Sequence, residues 1–414
     1  MSAEKMMNTT FLNMETKKLA ERILNEYRLC DACLGRLFTH LNRGVKNIEK
    51  GRLLREELRR KKVSPENCWL CEGLTNEIDE FAEIVEEKLR DYEFSTFLVG
   101  SKIDEEMNER EEKLCETFSL EHYESIKMEI NREVGKIVSE KMGKQASFDH
   151  PDITVLLDTR FNHVDLQITP LYIYGRYIKK IRGIPQTKWP CRVCRGRGCR
   201  RCNFTGKMYE TSVEEIISAE ILKVTKAENE SFHGCGREDI DALMLGRGRP
   251  FVLEVKNPQI RSIDLKELEK RINKYGEGRV EVNSLRFSNK EEVVRIKKAA
   301  FPKVYHAKVV AEKEVPEEKL KEVVHSLQGK TIKQLTPLRV AHRRSIKTRE
   351  RKIYHCRILE LNEKAFKLEI HTESGTYIKE LISGDSGRTK PNVSEMLGIP
   401  CRVEELDVVA VEGE

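Results

Sequence analysis

Eight of the twelve cysteines in this 414-residue chain fall into four C-x-x-C pairs, and no other feature restricts its folding so tightly. Cys30 and Cys33 sit in Cys30-Asp31-Ala32-Cys33-Leu34-Gly35-Arg36; Cys68 and Cys71 sit in Cys68-Trp69-Leu70-Cys71-Glu72-Gly73. Cys191, Cys194, Cys199 and Cys202 are closer together, with Gly196 and Gly198 between the pairs. A two-residue spacer lets both sulfurs of a pair face one metal ion, and two pairs complete a tetrahedron. The spacing predicts two structural zinc sites, Cys30/Cys33/Cys68/Cys71 and Cys191/Cys194/Cys199/Cys202, with Gly35 and Gly73 turning the chain at the first. A redox pair would sit in a thioredoxin-like βαβ pattern, which neither set has. A catalytic zinc is disfavoured because four thiolates leave no position open for water. Cys115, Cys235, Cys356 and Cys401 are isolated and read as buried thiols.

The net charge of +6 conceals an uneven distribution. Residues 179–207 hold ten Lys/Arg and no acid, and residues 330–352 hold nine against the single acid Glu350. Acidic residues gather at 77–87 and 104–112. Basic stripes in a nearly balanced chain point to a polyanion-binding surface. The N-terminus is polar with helical periodicity, unlike a signal sequence, and no stretch reaches membrane-spanning length. The expectation is a cytoplasmic protein with reduced thiols and no membrane partner.

A chain this long should hold two or three domains. Hydrophobic periodicity predicts helices over 1–27 (Leu12, Leu19, Ile23, Leu24), 76–90 and 121–142, and strands over 94–100, 152–157 and 164–174. The expected divisions are a helical zinc-bearing segment 1–75, an RNA-binding module 76–178, a basic zinc ribbon or linker 179–210, and a catalytic domain 211–414. In the last, helices are expected over 212–224, 265–274, 291–300, 317–327 and 376–383. Strands are expected over 250–255, 280–287, 304–312 and 402–411, with a hairpin over 353–361 and 365–371. This is an α+β pattern with much antiparallel pairing. No glycine-rich nucleotide turn follows a strand and no Walker sequence occurs, which argues against ATP- or SAM-dependent chemistry and against a nucleotide cofactor.

Four segments carry the candidate chemistry. Gly236-Arg237-Glu238-Asp239-Ile240-Asp241 places two aspartates beside a glycine- and arginine-bearing turn, and Leu245-Gly246-Arg247-Gly248-Arg249-Pro250-Phe251 reads as a second basic turn. Lys303-Val304-Tyr305-His306-Ala307 and Ser374-Gly375-Thr376-Tyr377-Ile378-Lys379-Glu380-Leu381 add a phenol and a cation. With residues 131–135, 148–153, 170–177, 182–187 and 334–344, these segments resemble the archaeal form of the Pus-ten family of tRNA pseudouridine synthases over nearly the whole length. Gly375-Thr376-Tyr377-Ile378-Lys379 is shared more widely among pseudouridine synthases.

The resemblance implies a zinc-bearing, THUMP-like RNA-binding domain followed by a pseudouridine synthase catalytic domain with a mixed, largely antiparallel sheet. It implies isomerisation of uridine to pseudouridine at U54 and U55 in the TΨC arm of tRNA, without an organic cofactor. It assigns the essential carboxylate to Asp239, although strand alternation would put Asp241 on the same side and does not separate the two. The carboxylate would act as a nucleophile at C1′ or a base at C2′, a choice the residues leave open. Tyr305 matches the tyrosine that stacks on the base and accepts the C5 proton, directly or by relay. Lys379 matches the basic position that pairs with the aspartate; arginine is common there in relatives, so a point charge replaces a bidentate fork.

Cations that would hold RNA phosphates are Arg237, Arg247 and Arg249 in the two turns, and Arg339, His342, Arg343, Arg344, Lys347 and Arg349 in the second basic stripe. Arg195, Arg200 and Arg201, with Arg192 and Arg197, surround the second cysteine set. The THUMP-like module would, by resemblance, hold the acceptor end of the tRNA. The expected partner is tRNA and the expected state a monomer. The competing readings are another THUMP-bearing tRNA-modifying enzyme, such as a methyltransferase or thiolase, and a non-catalytic zinc-bearing tRNA-binding protein.

Overall fold

Between the strand ending at Ile168 and the strand starting at Leu171 stands Pro170, which lacks an N–H and cannot continue a hydrogen-bonded ladder. The chain divides there: the computed structural model, which describes residues 13–41, 44–342 and 344–413, separates into one unit up to Thr169 and another from Pro170 onward. The single strand expected over 164–174 is therefore two strands of different sheets. The expected division after residue 178 moves to Thr169, because the aromatic strand 171–179 pairs within the second unit. Leu12 lies outside the described residues.

In the first unit, helices α1 (Met14–Glu26), α2 (Asp31–Arg36) and α3 (Asn47–Glu57) precede α4 (Ile78–Leu89), β1 (Thr96–Lys102), α5 (Glu105–Thr117), α6 (Ile126–Met142), β2 (Gln145–Ala146), β3 (Ile153–Asp158) and β4 (His163–Ile168). Side chains of Asn13, Asp104 and Ser125 cap α1, α5 and α6 by accepting from the first-turn amides. The sheet order is β2-β1-β3-β4, with β1 parallel to both neighbours and β3/β4 antiparallel. Gly35 is not the turn residue expected beside the first cysteine pair. It lies in α2 where α3 crosses, and a Cβ on it would come within 1.8 Å of Asn47 O. Gly73, at φ +100°, does turn the chain after Cys71.

The second unit is built on β5 (Leu171–Lys179), α7 (Val213–Thr225), β6 (Asn229–Gly234), β7 (Leu243–Lys256), α8 (Leu265–Tyr275), β8 (Val280–Ser288), α9 (Lys290–Lys298), β9 (Lys303–Ala311), α10 (Glu317–Leu327), β10 (Thr331–Leu335), β11 (Thr348–Leu361), β12 (Ala365–Thr372), α11 (Ile378–Ser383), β13 (Thr389–Lys390), α12 (Val393–Leu397) and β14 (Cys401–Val411). The sheet runs β13-β10-β11-β12-β9-β14-β7-β5-β8, with β6 on β7. Within this sheet only β14/β7 is parallel among the described strands, as the expected mixed and largely antiparallel pattern requires. The second basic turn expected at 245–251 is instead the interior of β7. Gly248, at φ +80°, belongs there because a Cβ would come within 2.6 Å of Tyr177 O on the neighbouring strand. Among the described residues no helix is long and apolar enough to cross a membrane.

Candidate active site

The loop after β6 carries Asp239 and is held from beneath by buried polar groups. Lys179, fully buried at the end of β5, donates to the carbonyls of Ile184, Asp239 and Ile240 at 3.0, 3.3 and 3.1 Å. Gly183 N donates to Ile240 O, and Arg182 donates to Asp241 O. Tyr177 donates its hydroxyl to Glu238 at 2.7 Å, while Gln186 donates to Tyr177 Oη and to Gly236 O. Arg249 completes the support, ion-paired to Glu238 at 2.9 Å and bonded to Cys235 O. Residues 179–186 were expected in a linker; they buttress this loop. Stripping either partner from the buried Arg249–Glu238 pair leaves a charge uncompensated, at a cost of about 3–5 kcal/mol.

Facing this loop is the segment leading into α11. Gln334 is fully buried on β10 and uses both ends of its amide on Tyr377, accepting from its N–H and donating to its carbonyl, each at 2.9 Å. That fixes the start of α11 and the direction of Lys379 and Glu380. Lys379 Nζ lies 2.7 Å from Asp241 Oδ2 and 3.6 Å from Asp239 Oδ2. Asp239 Oδ1 accepts from Arg339 Nη1 at 3.0 Å. The same guanidinium forks onto Glu380 through Nε and Nη2, at 2.6 and 3.3 Å. Burial pushes the Asp241 carboxyl up, but Lys379 outweighs it and holds the group below its usual value.

Lys303 and Tyr305 alternate along β9 and turn the same way. Burial drives the Tyr305 phenol up to about 12, with Arg249 opposing and Asp239 and Glu238 adding to the rise. Burial, with Arg249 beside it, pulls the Lys303 amine down to about 8. Lys303 Nζ donates to Ser374 Oγ at 2.9 Å and has no carboxylate within salt-bridge distance among the described residues. Asp239, Tyr305 and Lys379 line one open cavity of about 390 Å³, together with Gly236, Lys303, Arg339 and Tyr377. That volume suits a small ligand or a flipped nucleotide.

The structure thus brings the three expected catalytic residues to one cavity. It also changes several assignments. Asp239 does not sit in an extended strand but in a loop, and its nearest cation is Arg339, expected on the RNA surface, rather than Lys379. Arg249 is 1% exposed and fully engaged, so it belongs to the scaffold and not to a phosphate-binding surface. Arg237 is exposed over the Trp189 ring at 5.0 Å, and Arg247 is exposed on β7. His342, Arg344 and Lys347 are exposed, with Arg344 donating to Tyr377 Oη at 3.3 Å. Arg349 is half-buried and donates to Thr336. Arg343 lies outside the described residues. Arg195, Arg200 and Arg201 are exposed around the second cysteine set. Lys303, Gln334 and Glu238 escaped sequence reasoning. For Lys303 the usable signal was its position two residues before Tyr305 on an alternating strand.

The cysteines gather as expected into two sets, each with all four sulfurs within 4.8 Å of one another. Sulfur pairs lie 3.7 Å apart for Cys30 and Cys71, 3.9 Å for Cys191 and Cys199, and 3.8 Å for Cys194 and Cys202. With metal–sulfur bonds of about 2.3 Å, a tetrahedron has edges of about 3.8 Å, so both sets can hold a metal ion. Backbone amides of Cys30, Gly198 and Gly206 donate to sulfurs of Cys68, Cys194 and Cys202, each at 3.2 Å, as amides that steady metal-bound thiolates would. The first set is sealed in the core of its unit; in the second, Cys199 and Cys202 are half-exposed.

Two family models match the chain, "Pus10, C-terminal" over residues 172–412 and "Pus10 THUMP domain, archaeal" over residues 81–158. The chain is similar to curated proteins named tRNA pseudouridine synthase Pus10. That of Methanothrix thermoacetophila is 43% identical, over 95% of this chain and 94% of the relative. That of Halorubrum lacusprofundi is 42% identical over 97% of each. That of Methanocaldococcus jannaschii is 41% identical over 99% of this chain and 97% of the relative. A solved Cbf5–Nop10–Gar1 complex matches more loosely, at 18% identity and TM-score 0.32 over 57% of this chain and 48% of that one.

Proposed function

Because this chain belongs to the Pus10 family of tRNA pseudouridine synthases, we propose that it isomerises U54 and U55 in the TΨC arm of tRNA to pseudouridine, with Asp239 as the essential carboxylate. The observation that carries the reading is the convergence of Asp239, Tyr305 and Lys379 on one cavity. The target uridine lies in a folded arm and must leave its stack before its C1′ can reach Asp239, which costs a few kcal/mol. Phosphate contacts from Arg237, Arg247, His342, Arg344 and Lys347 offset that cost, and those from Arg195, Arg200 and Arg201 extend the grip.

Asp239 attacks C1′ or removes the C2′ proton, the bond from C1′ to N1 breaks, and the uracil turns to present C5. C5 then bonds to C1′ as the C1′–O bond to Asp239 breaks, or as Asp239 returns the proton to C2′. C5 loses its proton while N1, left anionic by the first cleavage, gains one. Tyr305, raised to about 12, remains a neutral phenol near pH 7. It therefore accepts the C5 proton only in an exchange in which its own proton departs. Arg339 positions Asp239 and ties it to Glu380, and Lys379 spans both aspartates. Each four-cysteine set holds a structural zinc ion, which supplies rigidity and no chemical step.

Lys303 is a cation lining the cavity, two residues from Tyr305 on the same face of β9, and it holds a substrate oxygen. Its amine is charged below pH 8 and neutral above, while Tyr305 does not titrate in that window. kcat/KM should accordingly fall as pH rises past about 8, since this ratio reports the free enzyme. Lys303→Met should be slow at every pH, and Lys303→Arg should lose the alkaline limb. A wild-type profile flat to pH 9.5 would remove Lys303 from the site.

The function itself is tested by incubating the protein with an unmodified tRNA transcript, without ATP, SAM or added metal, and mapping new pseudouridines. Formation at U54 and U55 is the expected result. Pseudouridine at other positions alone would overturn the site assignment, and none at all would overturn the enzyme reading.

A further inference from the structure

The ribbon formed by Cys191, Cys194, Cys199 and Cys202 exposes an aromatic ring in a way that its own folding does not require. Phe204 is 73% exposed, at φ +61°, directly after Asn203 at φ +49°. Left-handed backbone is disfavoured for a phenylalanine, and glycine or asparagine would fill the position more easily. The conformation is nevertheless tightly specified. Phe204 N donates to Cys199 O at 2.9 Å, Thr205 N to Cys202 O at 3.0 Å, and Gly206 N to Cys202 Sγ at 3.2 Å. Gly198 lies against the same spot, where a Cβ would meet Phe204 O at 2.8 Å. The ring is thus held out to solvent by a backbone anchored on the metal-ligand turn.

A single exposed apolar residue needs no explanation by itself. Here two further features accompany it. Arg200 and Arg201 occupy the same turn, and Arg192, Arg195 and Arg197 the facing one; all five are exposed, and residues 188–209 contain no acid. Strained backbone is also retained most often where it serves a function. A flat ring held out on a ribbon of exposed arginines is the combination that binds unstacked nucleic acid, the ring taking a base and the cations taking phosphates. A protein partner of matching chemistry would have to be acidic and apolar at once.

We propose that Phe204 is a stacking platform for an unpaired nucleobase of the RNA this chain binds, with Arg200 and Arg201 holding the adjoining phosphates. The inference rests on the RNA-modifying reading above and adds to it a contact on the ribbon.

The test compares binding of an unmodified tRNA transcript by wild type, Phe204→Ala, Phe204→Trp and Arg200→Ala across a salt series. Phe204→Ala should bind about tenfold more weakly with the salt slope unchanged, because stacking releases no counterions. Arg200→Ala should flatten the slope by about one. The indole introduced by Phe204→Trp should retain affinity, and its emission should be quenched by single-stranded oligouridylate and by tRNA but not by blunt duplex RNA. Phe204→Ala affinity within twofold of wild type, with no quenching in Phe204→Trp, overturns the proposal while leaving the functional reading intact. Failure of wild type to bind tRNA overturns that reading instead. Concentration-dependent self-association that Phe204→Ala abolishes, with RNA affinity unchanged, would reassign the ring to a protein contact and also overturn it.

Discussion

Replacing Asp239 by asparagine should abolish pseudouridine formation, by about 10⁴-fold or more in single turnover, while tRNA binding stays within a few fold of wild type. The amide keeps the size of the carboxylate, and its oxygen can still accept from Arg339 Nη1, now 3.0 Å away. The loop beneath should persist because its supports engage main-chain carbonyls and Glu238, not the Asp239 side chain. Only the capacity to attack C1′ or take the C2′ proton is lost. Asp241→Asn makes the necessary contrast. Asp241 is more exposed than Asp239, and its described ion pair is with Lys379 alone, so its loss should cost about tenfold or less through a looser Lys379. Single-turnover rates and filter binding on the same transcript decide the matter. Full activity in Asp239→Asn would transfer the essential role elsewhere in the cavity.

The contrast between the aspartates also shows what a linear sequence can convey. Asp239, Tyr305 and Lys379 were singled out by the resemblance of their short segments to the family, and the structure places the three around one cavity. The cysteine sets were legible because two-residue spacing is itself a geometric constraint. Arg339 was not, since its place beside Asp239 depends on a contact across 100 residues and on the fork onto Glu380. Spacing made it look like one member of a basic stripe. Arg249 misled for a related reason. Flanked by glycines and another arginine it reads as an exposed turn, but the glycines are there for close packing of β7 against its neighbours, and that packing buries the guanidinium on Glu238. The 164–174 strand failed at Pro170, where continuous apolar character hid a change of sheet. The helix Glu317–Leu327 matched expectation, because its signal is periodic and local, while that expected over 121–142 begins only at Ile126, after its cap Ser125.

The two cysteine sets should respond differently to loss of a ligand. Structural zinc in small domains contributes about 10–16 kcal/mol of apparent binding energy, comparable with the 5–15 kcal/mol net stability of a whole domain. Cys30, Cys33, Cys68 and Cys71 are at most 1% exposed and pack with Leu29, Leu34, Leu37 and Phe38 in the core of the first unit. Arg36, fully buried one helical turn beyond Cys33 and ion-paired to Glu111 and Glu129, would add a positive charge beside a tetrathiolate zinc of net charge −2. Cys68→Ser should leave that charge and the surrounding core without their centre, giving an insoluble chain or one whose first unit melts without cooperativity. The ribbon is different, because none of its cysteines belongs to the large core of the second unit. Cys199→Ser should release one zinc, keep the main calorimetric transition of the second unit, and raise KM for tRNA about tenfold with kcat held, since it loosens the mount of Arg200, Arg201 and Phe204. Elemental analysis should find about two zinc ions per wild-type chain and about one in Cys199→Ser. A metal-free wild type, or a Cys68→Ser chain that melts like wild type, would mean that hydrophobic packing alone holds the sulfurs together.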